Sequence, residues 1–291
     1  MFWLRTNLTS RLFLAFLLVS LVPATVLFVA QYQHTRHNVM TVALDALERV
    51  ADVQQRRINL ELQRLTDKFE LVASRTQMRL SLRSYAETGA PEDLRLIRRI
   101  LADVLVPLAA IDGIWLRDAQ GALLTVVADA AAAATGTRLP VPHWNGETPI
   151  VLAWPLDGPP WLWVNGPLEL DGERIGTLHM LARFDDLLAV LDDFPSDEVG
   201  GETLLLLRDD LHGMRPLASS RSSRAGRFEF LPATADLLAP NAVREQSVAP
   251  LYAGDQILML RPLDHDLGDV AVHISARTLD RQLWRHTQLL L

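Results

Sequence analysis

A long stretch without a helix breaker constrains this chain more than any other feature. Residues 24–88 contain no glycine and no proline, although the chain of 291 residues carries 15 Gly and 16 Pro. In a helix interior glycine costs about 1 kcal/mol and proline about 3 kcal/mol, so their absence predicts one long helix. At about 1.5 Å per residue this helix reaches roughly 100 Å, far more than one globular core requires. The rest of the chain is therefore expected to fold against it.

The N-terminal part of this helix is predicted to cross a membrane. Residues 12–30 are almost wholly apolar and span about 29 Å, which matches the thickness of a hydrocarbon core. Arg5 and Arg11 precede the span, and no acidic residue occurs before Asp45. The positive-inside rule then places residues 1–11 in the cytoplasm and the bulk of the chain in the periplasm, anchored in the inner membrane.

A cleavable signal peptide is the alternative to an anchor. Val22, Pro23 and Ala24 resemble a small-residue cleavage site that follows a shorter apolar region. The apolar run continues beyond that site to Ala30, which favours the transmembrane anchor.

Residues 31–89 are predicted to form a stalk helix. Ile58, Leu62, Leu65, Phe69 and Val72 repeat with alternating spacings of four and three, which is the a/d pattern of a coiled coil. This pattern predicts a homodimer through the stalk helix. The alternative is that the stripe packs on its own domain, and we expect both, with self-packing in the distal half.

Downstream of Gly113 the periodicity changes to that of short strands. Leu116-Arg117-Asp118 and Leu207-Arg208-Asp209 each end a strand and precede a turn that contains glycine. Pro167-Leu168 and Pro262-Leu263 repeat at nearly the same offset, which indicates an internal duplication. The predicted strands lie at 114–116, 123–127, 149–154, 161–170, 175–184, 203–207, 248–252, 257–261 and 270–275, and the predicted short helices at 185–193 and 232–238. The fold class is α+β with two antiparallel-sheet units, at 90–196 and 197–276, followed by a C-terminal helix at 277–291 that begins a second membrane span.

Composition and motifs exclude several classes of function. The chain has no cysteine, which removes disulfides, thiolate catalysis and cysteine-ligated metals. Its formal net charge is -7 without a basic patch, so nucleic acid is not an expected partner. No zinc-protease pattern, nucleophile elbow or glycine-rich phosphate loop occurs, and we expect no catalytic residue, metal or cofactor.

The architecture resembles the double-Cache sensor domains of bacterial receptors such as sensor histidine kinases and diguanylate cyclases. The residues that carry the resemblance are Gly113-Ile114-Trp115-Leu116-Arg117-Asp118 and Gly200-Gly201-Glu202-Thr203-Leu204-Leu205. The resemblance implies two tandem PAS-like units, of which the membrane-distal one binds a small ligand such as an amino acid, amine or carboxylate. It also implies that any kinase or cyclase activity belongs to a cytoplasmic module that residues 1–291 do not contain.

Five residues are predicted to bind the ligand. Amino-acid-binding members of the family carry an arginine followed closely by an aromatic pair, whereas here Arg138 and Trp144 stand further apart and the pair is missing. Trp154, Trp161 and Trp163 follow on later strands, and Trp161 and Trp163 share one face because side chains alternate along a strand. We expect an aromatic pocket in which Arg138 binds a carboxylate or the tryptophans bind a cationic group. The alternatives are that the tryptophans are packing residues, and that the chain is a membrane-tethered scaffold that binds a periplasmic protein.

Overall fold

The computed structural model describes residues 8–129, 132–133, 141, 149–153, 160–192, 202–209, 213–219, 250–253 and 256–275. The helices are α1 (Leu8–Ala73), α2 (Thr76–Thr88), α3 (Pro91–Leu105) and α4 (Asp185–Asp192). The strands are β1 (Ile111–Asp118), β2 (Leu123–Ala128), β3 (Ile150–Ala153), β4 (Trp161–Leu170), β5 (Glu173–Arg183), β6 (Glu202–Asp209), β7 (Gly213–Ser219), β8 (Leu251–Ala253), β9 (Gln256–Pro262) and β10 (Gly268–Ser275). The helices predicted at 232–238 and 277–291 lie outside the described residues.

The stalk is one helix only as far as Ala73. Arg75 is extended, with ψ 102°, and α2 then runs from Thr76 to a left-handed Gly89. The prediction of a single helix over 31–89 is therefore wrong at residues 74–75, although neither glycine nor proline occurs there.

The break has a tertiary cause. Beyond it, α2 turns to bury Met78 and Leu82 in the core, where each is at most 1% exposed. Local hydrogen bonds compensate the interrupted helix, because the Ser74 hydroxyl donates to the Leu71 carbonyl and Arg79 Nη2 donates to the Ser74 carbonyl. Burial of apolar side chains outweighs helix continuity when both cannot be kept.

By length and composition α1 is able to cross a membrane, beginning at Leu12. The side chains of its apolar segment are not buried by the rest of the protein, as Phe16 at 75% and Leu27 at 70% exposure show. This distinguishes the segment from the core helix of a globular domain, whose apolar residues would be covered.

Two five-stranded antiparallel sheets follow the helices. Their strand orders are β2-β1-β5-β4-β3 and β7-β6-β10-β9-β8, which is the same topology twice. The first unit comprises α2, α3, β1 to β5 and α4, and the second comprises β6 to β10. The predicted α+β class with two tandem PAS-like units is confirmed.

The coiled-coil stripe of α1 packs on the protein's own sheets. Ile58, Leu62, Leu65, Phe69 and Val72 are all at most 7% exposed and belong to the same core as both sheets. The alternative that the stripe packs on its own domain is therefore correct, and these side chains are not available as a dimer seam.

The two units occupy different levels of α1. Arg261 of the second unit bonds Glu48 and Asp52, with Nη2–Oε1 at 3.0 Å and Nε–Oδ1 at 2.5 Å. Further along α1, Phe69 lies against Gly166 of the first unit, where an added Cβ would be 2.5 Å from Phe69 Cζ. The second unit is thus closer along α1 to the apolar N-terminal segment, and the first unit is the distal one.

Candidate functional site

The two faces of the distal sheet have different partners. On β4, Leu162, Val164 and Leu168 belong to the core that the sheet shares with α1. Because side chains alternate, Trp163 projects from the other face, where it clusters with Trp115, Leu181, Ala132 and Ala153. We call this cluster the tryptophan face. It is the apolar surface of the distal unit that the long helix does not cover.

A glycine allows the two central tryptophans to meet. Gly113 and Trp163 both pair with Leu181, from opposite sides of β5. A Cβ at Gly113 would lie 2.6 Å from ring atoms of Trp115, so the indole lies across the glycine. The rings of Trp115 and Trp163 are 4.8 Å apart between centroids and inclined at 75°, an edge-to-face contact.

The indole N–H of Trp163 has no acceptor among the described residues. The side chain is fully buried, and its Nε1 lacks a hydrogen-bond partner. Buried polar groups are nearly always paired with protein, water or ligand, so this donor requires an explanation. It is the one feature of the tryptophan face that packing alone does not account for.

A buried polar row adjoins the tryptophans. Asn165, His179 and Thr177 are each at most 3% exposed. His179 Nδ1 donates to Asn165 Oδ1 over 2.8 Å, because an amide oxygen can only accept. In the neutral imidazole, Nε2 then accepts from the Thr177 hydroxyl over 3.2 Å. These contacts fix the ring of His179 beside Trp115, its cross-strand neighbour.

Carboxylates lie at one edge of the face. Asp112, next to Gly113, contacts Arg183 with Oδ2–Nε at 3.3 Å. Burial raises the pKa of Asp112, the Arg183 guanidinium opposes that shift, and Asp129 adds to it. Asp129 Oδ1 is itself held by the backbone N–H of Ala132 at 2.6 Å. Among the described residues no group of three or more metal-binding side chains occurs.

A separate cleft of about 510 Å³ lies on the helix side of the distal sheet, between α2 and the ends of two hairpins. Arg83 on its wall pairs with Asp171 at 2.9 Å and Glu173 at 3.6 Å. These pairs are largely exposed, and exposed pairs contribute little free energy.

Solved structures of receptor domains share this architecture. The extracellular domain of vpHK1S-Z8, described as a histidine kinase, superposes with a TM-score of 0.53 at 16% identity, covering 84% of this chain and 98% of that one. The ligand-binding domain of the Campylobacter jejuni chemoreceptor Tlp3 in complex with L-valine gives 0.52 at 15% identity, with 85% and 98% covered. That of the Pseudomonas fluorescens chemoreceptor CtaA in complex with L-isoleucine gives 0.51 at 13%, with 85% and 98% covered. The fold is the double-Cache fold.

The sequence itself finds no such relatives: no protein-family model and no curated protein matches it. At identities of 13–16% the superpositions establish the double-Cache fold and not a shared ligand.

Two of the five predicted site residues lie together in the double-Cache distal unit. Trp163 is at the centre of the tryptophan face, and Trp161 is half-buried beside it. Arg138, Trp144 and Trp154 lie outside the described residues, so their role stays a prediction.

The sequence analysis did not assign Trp115 or the polar row to the site. The signal for Trp115 was its position two residues after Gly113, which puts both on one face of β1. That Trp115 lies near Trp163 of β4 follows only from the sheet order, in which β5 separates β1 from β4.

Proposed function

We propose that this chain is the extracytoplasmic small-molecule-sensing region of a membrane-bound signal-transduction receptor. The observation that carries the proposal is the tryptophan face, an apolar surface in the distal unit with a buried indole donor that has no acceptor among the described residues. The fold supports it, because the chemoreceptor domains that share this architecture are ligand-binding domains, two of them in complex with L-valine and L-isoleucine. The ligand is an amino acid, an amine or a carboxylate.

In this proposal the ligand contacts Trp161 and Trp163, with Trp115 as a further wall. Arg138, Trp144 and Trp154 complete the site from the segments that precede and follow β3. The role of the region is to bind and not to transform its ligand, in keeping with the sensory domains that share its fold.

The topology follows from α1. Residues 12–30 cross the inner membrane with residues 1–11 in the cytoplasm, and the two units lie in the periplasm. The second unit, held to α1 through Glu48 and Asp52, is the membrane-proximal one. Ligand binding at the distal unit is then transmitted toward the membrane past this contact.

We propose that the receptor is a homodimer through the solvent face of α1, not through the predicted seam. Val42, Val53, Leu60 and Leu71 are 48–64% exposed. Their spacings of eleven, seven and eleven residues return to the same side of a helix within about 20°. Because both copies are anchored in one membrane, the helices run parallel and present the same stripe to each other.

A thermal-shift screen of metabolites against the purified chain tests the sensing role. A ligand at 100 times its Kd stabilises a protein by about 2.7 kcal/mol, which is about 5–11 °C for a folded region of roughly 150–250 residues such as the two units with their shared core. Amino acids, amines and carboxylates should include compounds that give such a shift. A screen of these three classes without any shift would remove the sensing role.

Cysteine cross-linking in membranes tests the dimer, and the absence of native cysteine makes the background clean. Val53→Cys and Leu60→Cys should each form a disulfide-linked dimer. Ile58→Cys, buried against the second unit, and Glu70→Cys, exposed on another side of α1, serve as controls and should not. Equal cross-linking at Glu70 and Leu60 would contradict the proposed face.

A further inference from the structure

Two corresponding hairpins differ in the residues that form their turns. In the order of the two sheets, β4 and β5 of the first unit correspond to β9 and β10 of the second. The first hairpin turns through Asp171 and Gly172, both with positive φ, and Asp-Gly is a favoured sequence for such a turn. The second hairpin turns through His265 and Asp266, with φ of 61° and 58°. Consecutive left-handed residues that carry a Cβ are unfavourable, so other contacts have to hold the second turn.

Two contacts from α1 hold the second turn. Gln55 Nε2 donates to the carbonyl of Pro262 over 2.5 Å, and Asn59 Oδ1 accepts from the N–H of Asp264 over 3.1 Å. Gln55 and Asn59 lie about one helical turn apart, and both bind backbone groups within three residues of His265. The left-handed turn of the second unit is thus fastened to the long helix by hydrogen bonds.

The same helix also contacts the distal sheet. Phe69 of α1 lies against Gly166 of β4, on the side of that strand opposite the tryptophan face. Because α1 is continuous from Leu8 to Ala73, the residues that touch the distal sheet and those that hold the second turn belong to one helix. A displacement of β4 that moves α1 therefore also moves Gln55 and Asn59 relative to the second unit.

We propose that the β9–β10 turn is a conformational switch set by the position of α1. With α1 in the observed position, Gln55 and Asn59 hold His265 and Asp266 in the left-handed conformation. When the distal unit moves α1, both contacts are lost and the turn relaxes, which shifts the start of β10. The switch rests on the proposed function, because it is the step by which a binding event in the distal unit reaches the second unit.

Amide hydrogen exchange of the full chain in detergent micelles tests the switch without a ligand. The reporter is the N–H of Leu263, which donates to the Gly268 carbonyl over 2.8 Å and closes the turn. Asn59→Ala should raise its exchange rate about 5- to 30-fold, the factor that corresponds to about 1–2 kcal/mol of left-handed strain. In a chain with His265→Gly and Asp266→Gly the turn carries no such strain, and Asn59→Ala should change the rate by no more than about 2-fold.

The comparison of the two backgrounds separates a switch from an ordinary contact. An effect of Asn59→Ala that is equal in both backgrounds, or absent in the native one, would overturn the proposal. Exchange of the β5 amides shows whether each variant is folded. If Asn59→Ala exposes them too, Gln55→Ala takes its place, with the same expected results.

A change at the distal end of α1 tests whether the switch responds to the distal unit. Phe69→Ala removes the ring that lies against Gly166 and should raise the exchange rate of the Leu263 amide more than about 2-fold. Arg83→Ala, which breaks only exposed pairs between α2 and the distal hairpin, is the matched control and should leave that rate unchanged. Phe69→Leu replaces Phe69→Ala if the β5 amides become exposed.

An unchanged Leu263 exchange rate in the folded Phe69 variant would show that the turn does not follow α1 and would overturn the proposal. The sensing role is tested separately, because the metabolite screen measures binding to the native chain and these measurements contain no ligand. A failed switch with a positive screen leaves the sensing role in place.

Discussion

Replacing Gln54 with methionine should stabilise the protein. Gln54 occupies a seam position of α1 between Ala51 and Ile58, in the core below the second sheet, and is 0% exposed. Within the part of the chain that the structure describes, neither its amide nitrogen nor its amide oxygen has a hydrogen-bond partner. Methionine has nearly the same length and no amide, so Gln54→Met removes two unpaired polar atoms without opening a cavity. A buried unsatisfied group costs about 1–3 kcal/mol, and we expect a gain of that size.

The adjacent glutamine is a matched control with the opposite sign. Gln55 Nε2 donates to the carbonyl of Pro262 over 2.5 Å, which ties α1 to the end of β9. Gln55→Met should lose about 0.5–1.5 kcal/mol. Thermal unfolding of the detergent-solubilised chain measures both, since 1 kcal/mol corresponds to about 2–4 °C for a folded region of roughly 150–250 residues such as the two units with their shared core. A lower melting temperature for Gln54→Met would refute the reasoning, because it would mean that the amide is paired in the folded protein.

Three further changes test other contacts. Gly166→Ala places a Cβ 2.5 Å from Phe69 Cζ and should lower the free energy of unfolding in urea by about 1–3 kcal/mol. Adding Phe69→Leu should recover part of that loss, and no recovery would mean that the Phe69 ring does not clash with the new methyl group. Arg261→Met leaves two carboxylates of α1 without their common partner and should cost about 1.5–3 kcal/mol, whereas an unchanged urea midpoint would show that this contact does not hold the second unit. Burial raises the pKa of Asp112, so its protonated form is favoured by folding and its contribution to stability is lost as the pH rises above about 4. Melting temperatures from about pH 3 to pH 7 should therefore fall for wild type relative to Asp112→Asn, and a constant difference would contradict the shift.

Most of the fold could be predicted from the sequence because its signals are periodic and local. The strand predicted at 161–170 has the same bounds as β4. Its side chains alternate between the two faces of the sheet, and the Asp171-Gly172 turn, with positive φ at both residues, ends it on the C-terminal side. The duplication predicted from Leu-Arg-Asp and Pro-Leu repeats appears as two sheets of identical strand order. Local pattern is sufficient where each strand pairs with a neighbour in the same unit.

The missed elements depend on tertiary context. β7 contains Pro216, which cannot donate to a ladder, but β7 is the edge strand of its sheet and the proline sits at a register shift. The a/d stripe of α1 was ambiguous because a partner helix and the protein's own sheets cover an apolar stripe equally well. The break at residues 74–75 follows from the burial of Met78 and Leu82, and no residue near the break predicts that burial.

The candidate site shows the same division. Trp161 and Trp163 could be placed on one face from the period of a strand alone. Trp115 lies beside them because β5 separates β1 from β4 by a single strand and because Gly113 leaves room for the Trp115 ring. Both conditions depend on the order and register of the strands, which the sequence pattern does not provide. The lack of an acceptor for Trp163 Nε1 among the described residues is a property of the packed structure, and no sequence pattern predicts it.

The central claim is that the tryptophan face of the distal unit binds the ligand. The most direct measurement is a crystal structure of the chain with a compound that raises its melting temperature. We predict density for that compound against Trp115 and Trp163. Density in the cleft beside Arg83, or a tryptophan face filled by the protein's own side chains with no compound bound, would contradict the claim.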